Sequence, residues 1–416
     1  MARCNVLAIL ALAVGSVALA AQDQQQPVEG SPPTDLQAVE AVAVALEDAE
    51  PRTPIMQLLD RTGLGKTLDD YSISIGGWLE ASTTWSLLDD PAGDEIVGRS
   101  FDFEHADPTF NQFGLTIIRP VDTEKDGWDL GFTIEHIFGA DARFTASNGM
   151  DFQTGESPEN QFDLTQAYIE VFVPVGEGLT VKAGKWITPI GYEYVNPTLN
   201  PLYSHSYLFG IVPYSHTGVM CTYPVSETAT FGLGVARGWE QSLRDNNGDA
   251  IEVVWSFANE PSDQISYAFN GSVGPQMDDD SGHYRTMLDY WMDYTLSDQA
   301  SIGLNLDYRY DSNEGQDGDA AHTYGVAGYY KHECNKYLTG VVRLEWFNDT
   351  SRIEGFDCNI FAATLGVNIT PFPNDNLGQF LKIRPEIRYD YATEPTFDGG
   401  DDNNLLTFAI EGVFTL

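Results

Sequence analysis

From Tyr71 to Leu416 apolar and polar residues alternate with a period of two, in sixteen separate runs. In "LKIRPEIRYDY", Leu381, Ile383, Pro385, Ile387, Tyr389 and Tyr391 share one face, and Lys382, Arg384, Glu386, Arg388 and Asp390 share the other. In "SIGLNLDYRYD", Ile302, Leu304, Leu306, Tyr308 and Tyr310 oppose Ser301, Gly303, Asn305, Asp307, Arg309 and Asp311. Side chains of a strand point to alternate faces, so each run predicts a strand with one apolar side. The joins alternate as well. Those at 176–177, 226–227, 260–261, 297–298 and 334–335 are tight, with 120–127 and 371–379 as longer members of the same set. Between them fall the long joins at 89–110, 139–161, 188–214, 240–249, 274–282, 313–320, 349–356 and 393–402. Short turns at one end and long loops at the other are the asymmetry of an up-and-down barrel in an outer membrane. A soluble sandwich has no reason to alternate in this way.

Alternation does not say which face is inside. Size does: sixteen strands close into a ring too wide to be filled by its own side chains, so its interior is wet and the charged face belongs there. The apolar face then meets lipid. The expected fold is an all-β, closed antiparallel transmembrane barrel of about sixteen strands over 71–416. Tyr71, Trp128, Tyr223, Trp255, Tyr310, Trp346 and Tyr391, near strand ends, would form interfacial girdles, although strand propensity alone would also place aromatics there.

The residues before the barrel read differently. Met1–Arg3 is basic, Val6–Leu19 is apolar, and Ala18-Leu19-Ala20 is a small-residue cleavage pattern, so 1–20 is expected to be a cleaved signal peptide. Residues 21–70 read as a flexible periplasmic leader, Gln- and Pro-rich at first. Leu36, Val39, Val42 and Leu46 have helical spacing, and a helical turn at Ile55–Leu59 would be stopped by Gly63 and Gly65. Three cysteines follow the signal (Cys221, Cys334 and Cys358), an odd number that does not suggest a disulfide framework. With 62 acidic against 21 basic side chains the net charge is −41, which disfavours nucleic acid and anionic membrane surfaces as partners.

The long join at 188–214 is the unusual one. Between Trp186 and Thr217 the only formal charge is Glu193, amid Pro189, Pro197, Pro201 and Pro213 and the aromatics Tyr192, Tyr194, Tyr203, Tyr207, Phe209 and Tyr214. Four prolines exclude a single regular element, and ordered loops of this length are usually functional. The stretches "KAGKWITPIGYEYVNPTLNPLYSHSYLFGIVPYSHTGV" and "IRPEIRYDY" resemble the OmpL-like beta-barrel porin family of bacterial outer membranes. The resemblance spans about Tyr71 to Leu416 and is most specific over Gly184–Val219. It implies an outer-membrane barrel with pore activity, no defined substrate and no catalytic residues. The chain departs from the usual aromatic terminus of such barrels by ending "EGVFTL", with Phe414 third from last and Leu416 terminal. In sixteen-stranded general porins the third external loop folds into the channel, and 188–214 occupies the similar position. A loop inside a barrel cannot carry many unpaired charges, whereas Tyr and Pro supply stiff bulk with hydroxyls that can bond. The plainer alternative is an aromatic loop folded over the rim.

The expected constriction set is Tyr192, Glu193, Tyr194, Tyr203, His205, Tyr207, Phe209 and Tyr214. Facing it on polar strand positions are Arg285, Arg309, Arg343, Lys382, Arg384, Glu386 and Arg388. Opposed charge in a narrow passage sets ion selectivity, although each arginine alone could equally be a strand-to-strand salt bridge. The acidic loops at 245–249, 278–282, 311–319 and 398–404 resemble parts of calcium loops but lack the closing bidentate Glu. Such loops are usually just solvated, with structural calcium as the lesser alternative, and no metal site or other cofactor is assigned. Ser204-His205 and Ser215-His216 are adjacent pairs, which point poorly for nucleophilic catalysis, and no G-x-S-x-G elbow exists, so an enzyme is not expected. The reading is an outer-membrane diffusion channel for small hydrophilic solutes and ions, with outer-membrane lipid and further copies of the chain as partners. Its rival is a surface barrel without an open pore, whose acidic loops bind a partner or cations.

Overall fold

Strand follows strand around a single ring. The computed structural model describes residues 52–88, 95–150, 159–244, 250–277, 280–314, 318–351 and 353–416. The strands are β1 Ser74–Ser86, β2 Thr109–Arg119, β3 Asp129–Gly139, β4 Gln161–Val173, β5 Leu179–Ile187, β6 Ser215–Pro224, β7 Ala229–Ala236 and β8 Glu252–Ser262. They continue as β9 Ile265–Gly274, β10 Arg285–Ser297, β11 Ala300–Asp311, β12 Ala321–Asn335, β13 Leu338–Asn348, β14 Asn359–Ile369, β15 Leu381–Ala392 and β16 Asn404–Thr415. Each pairs antiparallel with its neighbour in sequence, and β1 pairs with β16 from Trp78↔Thr415 to Ser86↔Thr407, so no edge is left open. All sixteen expected strands are present, their ends displaced by a few residues at most.

The barrel is apolar outside and polar inside. On β13 Leu344 is 56% exposed while its neighbour Arg343 is 0% exposed, and on β15 Ile387 is 42% exposed beside Arg388 at 1%. Leu79, Leu130, Ile134, Ile169, Leu233, Phe269 and Phe408 lie outward on other strands in the same way. A water-facing exterior would not repeat exposed Leu, Ile and Phe around a whole ring. Tyr71, Trp128 and Tyr391 are exposed, and Tyr223, Trp255, Tyr310 and Trp346 are half-buried. Leu344→Arg is expected to destabilise the protein in bilayers by about 2–4 kcal/mol, the cost of a cation on the lipid face near mid-depth. Equilibrium unfolding from vesicles measures it, and a change within about 0.5 kcal/mol, typical of water-exposed sites, would contradict a lipid-facing Leu344.

Ahead of β1 stand two short helices, α1 (Pro54–Thr62) and α2 (Leu64–Asp70). Pro54 opens α1 at a position with no intrahelical N–H to lose, and the Thr53 hydroxyl accepts from the Met56 amide. Gly63 closes α1 in the left-handed region at φ 80°. Gly65 does not stop a helix as the sequence suggested. It lies within α2, where a Cβ would run into the Asp60 side chain. Arg52 clasps both helices through Asp60 at 2.7 Å and Asp69 at 3.0 Å. The helical spacing at Leu36–Leu46 lies outside the described residues. Cys221, Cys334 and Cys358 are free thiols.

Candidate functional site

The loop between β5 and β6 turns into the barrel. Two 3-10 turns, Pro197–Leu199 and Tyr207–Ile211, shape it, and Asn196 caps the first by accepting from the Thr198 amide at 3.0 Å. Asn200 holds the loop on itself, accepting from the Tyr194 amide at 2.8 Å and donating to the Tyr194 carbonyl at 2.6 Å. His205 donates from Nε2 to the same carbonyl at 3.1 Å and stacks on Phe209 with centroids 4.0 Å apart. Burial pushes His205 below the ordinary histidine value, outweighing the pull of Glu193, so the ring is held neutral.

The loop's partners lie across the ring. It departs from β5, and β13, which carries its densest anchor, is eight strands away in a ring of sixteen. There Arg343 reaches Glu193 at 2.8 Å and Glu345 at 2.7 Å, and also donates to the Ser204 and His205 carbonyls. Burial alone would raise Glu193, but Arg343 and the Ser206 amide and hydroxyl outweigh it and hold the carboxyl below its ordinary range. Glu345 accepts from the Tyr207 amide at 2.9 Å. On β15, Glu386 accepts from the Tyr203 and Ser204 amides, Asp390 accepts from the Tyr207 hydroxyl at 3.0 Å, Arg388 donates to the His205 carbonyl, and Arg384 pairs with Glu411 and donates to the Asn200 carbonyl. The Tyr203 hydroxyl bonds to Ser82 on β1 at 2.6 Å, Gln112 on β2 donates to the Val195 carbonyl at 2.9 Å, and Tyr192 donates to Asp293 on β10 at 2.7 Å.

Three wall glycines complete the fit. A Cβ at Gly303 would overlap the Tyr192 hydroxyl, one at Gly325 would overlap Leu208, and one at Gly366 would overlap Leu202. Inward glycines on β11, β12 and β14 are therefore sockets for loop side chains. Gly303→Val is expected to expel Tyr192 from Asp293 and to cost about 1–3 kcal/mol, the usual penalty of overpacking. Denaturant unfolding should register the cost, and tyrosine accessibility to a soluble quencher should rise. An unaltered accessibility would mean that the socket does not hold Tyr192.

The expected residues do not all come together. Tyr192, Glu193, Tyr203, His205 and Tyr207 meet Arg343, Arg384, Glu386 and Arg388 directly or through one neighbour, at mid-strand depth. Tyr214 and Phe209 belong to an aromatic cluster with Phe101, and Tyr194 is bound through its backbone to Asn200. Arg285 and Arg309 are elsewhere, toward the long-loop end, sharing Asp311 and Glu314 and lying over the Trp239 ring. Lys382 is exposed near the short-turn end. The sequence reading missed Arg99, Phe101 and Asp102, which also enter the barrel. Arg99 pairs with Asp390 at 2.8 Å, and Phe101 touches Phe209 and His205. A lone arginine and aromatics in an otherwise acidic loop were the available signal. Of the acidic loops, 245–249, 278–279 and 315–317 lie outside the described residues. In 398–404 the turn is closed by backbone bonds between Phe397 and Asp402.

A family model described as "Putative beta-barrel porin-2, OmpL-like" matches residues 72–416, the whole of the barrel. The chain belongs to the OmpL-like beta-barrel porin family. No curated protein matches it. Solved structures similar in fold to this porin include the outer membrane channel DcaP of Acinetobacter baumannii, at 11% identity and TM-score 0.53, covering 83% of this chain and 97% of that one. An anion-selective porin from Comamonas acidovorans is 10% identical, with TM-score 0.54 and coverage of 83% and 99%. OprB of Pseudomonas putida is 12% identical, with TM-score 0.54 and coverage of 86% and 97%. At these identities the likeness is one of fold. The porin is a protein of the outer membrane, and its barrel is the channel-forming unit of its family.

Proposed function

We propose that this porin is a passive diffusion channel for small hydrophilic solutes and ions, narrowed by residues 188–214, in which Tyr192, Glu193, Tyr203, His205 and Tyr207 form the constriction against the β13 and β15 wall. The observation that carries this reading is the Glu193–Arg343 pair, because it ties the loop to the wall opposite its own root. Arg343, Arg384 and Arg388 act as loop anchors whose charge is largely met by Glu345, Glu411 and Asp390, so they leave a weak local field for passing anions. Arg285 and Arg309 lie nearer the mouth, also paired with acids. Export by a cleaved signal in 1–20 belongs to the same reading. So does assembly into homo-oligomers, since one fold relative, OmpT of Vibrio cholerae, is described in a trimer form.

Conductance in planar bilayers tests the proposal: a stable open current is expected, and its absence in correctly folded protein would favour a closed barrel that binds partners through its loops. Selectivity follows from the charge of −41. Acidic external loops draw cations to the mouth within about a Debye length, ~8 Å at physiological salt. Reversal potentials in a salt gradient should show a modest cation preference at low salt that fades at high salt. A strong anion preference at low salt would mean that the arginine wall governs passage.

A further inference from the structure

Away from the arginine anchors, one stretch of the inner wall is acidic and has no basic partner. Asp289 on β10 and Asp307 on β11 are direct cross-strand partners on the inward face. Like charges directly opposite in a sheet repel, and both residues are buried, Asp307 being 4% exposed. One amide straddles them, with Asn305 Nδ2 donating to Asp289 at 2.9 Å and to Asp307 at 3.3 Å. Asn270 donates to the second oxygen of Asp289 at 2.8 Å, and the Gly191 amide of the loop donates to the same carboxylate. Asp289 is thus surrounded by donors, as an ionised carboxylate requires. Asp307 is not: its carboxyl lies against that of Asp289, and its buried Oδ2 accepts from no donor group. Among the described residues no basic side chain pairs with either acid. This sets the two apart from Glu345, Glu411 and Asp163, each of which holds an arginine or lysine.

The position matters as much as the charge. Asn270, Asp289, Asp307 and Gly325 form one level row across β9 to β12, and Gly325 is the socket of Leu208. With Gly191 above Asp289, the carboxylate pair sits at the level where the loop is seated. Two adjacent carboxylates in a shielded site repel, and either a shared proton or a bound cation relieves them.

We propose that Asp289 and Asp307 form a cation subsite inside the barrel, taking a small hard cation through Asp307 Oδ2. One free carboxylate oxygen, backed by a second carboxylate, is far from the six to eight oxygens of a calcium cage, so the ion is held weakly. Weak holding suits passage, since an ion that binds too firmly cannot leave. Nothing in the assignment requires measurable current.

Terbium is the probe. Trp291 follows Asp289 on the same face of β10, about 7 Å along the strand, close enough to sensitise a bound lanthanide. Full-length folded protein in detergent is titrated with Tb3+ under tryptophan excitation, together with Asp307→Asn and Trp291→Phe, whose folding is verified by circular dichroism. Saturable luminescence, competed by Ca2+ and lost in both variants, is expected. Luminescence retained in Asp307→Asn would place the ion in the external acidic loops and overturn the proposal. Wild-type luminescence no greater than that of Trp291→Phe would overturn it too, leaving the pair bridged by a shared proton. Asp289→Asn should reproduce the loss if Asp307→Asn fails to fold. Conductance is not the readout, so a barrel that carries no current but passes this test refutes the channel and leaves the subsite standing.

Discussion

Replacing residues 192–211 by a short glycine–serine turn is expected to raise the single-channel conductance about threefold or more, because an unobstructed ring of sixteen strands leaves a water-filled channel. The strands pair with one another around the whole ring and do not depend on the loop for a single backbone bond of the sheet. The barrel should therefore survive the deletion, with Arg343, Arg384 and Arg388 hydrated instead of bonded to loop carbonyls. Conductance equal to that of the parent would show that the segment lies off the path of ions, as a loop folded over the rim would.

Arg343→Ala is the point substitution with the largest expected cost. The guanidinium touches two carboxylates, Glu193 and Glu345, two loop carbonyls and the Ser204 and Thr364 hydroxyls, all with no solvent exposure of its own side chain. Removing one member of a buried ion pair leaves the rest uncompensated, which costs about 3–5 kcal/mol. Denaturant unfolding measures this, and a loss below about 1 kcal/mol, the worth of an exposed pair, would mean that water reaches the site. Acid offers a separate check. The Glu193 carboxyl is held below its ordinary value of 4.5, so its contribution is complete above that pH and disappears as the pH falls through the lower folded-state value. Stability lost below pH 4.5 should be smaller in Glu193→Gln, whose amide no longer titrates. An equal loss in both proteins would assign the acid sensitivity to other carboxylates.

The strands were legible because a barrel wall has only two environments, and β11 and β15 write both in alternating letters. The side of the wall that faces lipid followed from ring size alone. The entry of 188–214 into the barrel was legible in part, through the near absence of charge. Its partners were not. Glu193 and Arg343 are 150 positions apart, and nothing local to "VVRLEW" distinguishes an anchor from an ordinary cross-strand salt bridge. Gly303, Gly325 and Gly366 read as routine strand glycines, since the side chains that fill their sockets come from another part of the chain. Gly65 misled for a related reason: a glycine after a helical turn ordinarily ends it, but here Gly63 had already done so and a second helix had begun.

Ring closure also dictates an order of events. The seam joins the first strand to the last, so it cannot form until Asn404–Thr415 is available. The loop also waits on later parts of the chain, because its partners Asp293, Arg343, Glu386 and Asp390 follow the residues they bond by 101 positions or more. Bringing together groups so far apart is slow, since the entropy of closing the intervening chain must be met before any contact is gained. While the chain is being inserted, the loop therefore has no complete surface to settle on: Tyr203 can meet Ser82 on β1 early, but Tyr192 waits for β10 and Tyr207 for β15. Seating of the bore therefore comes late in the maturation of this protein, since it draws on strands made long after the loop itself.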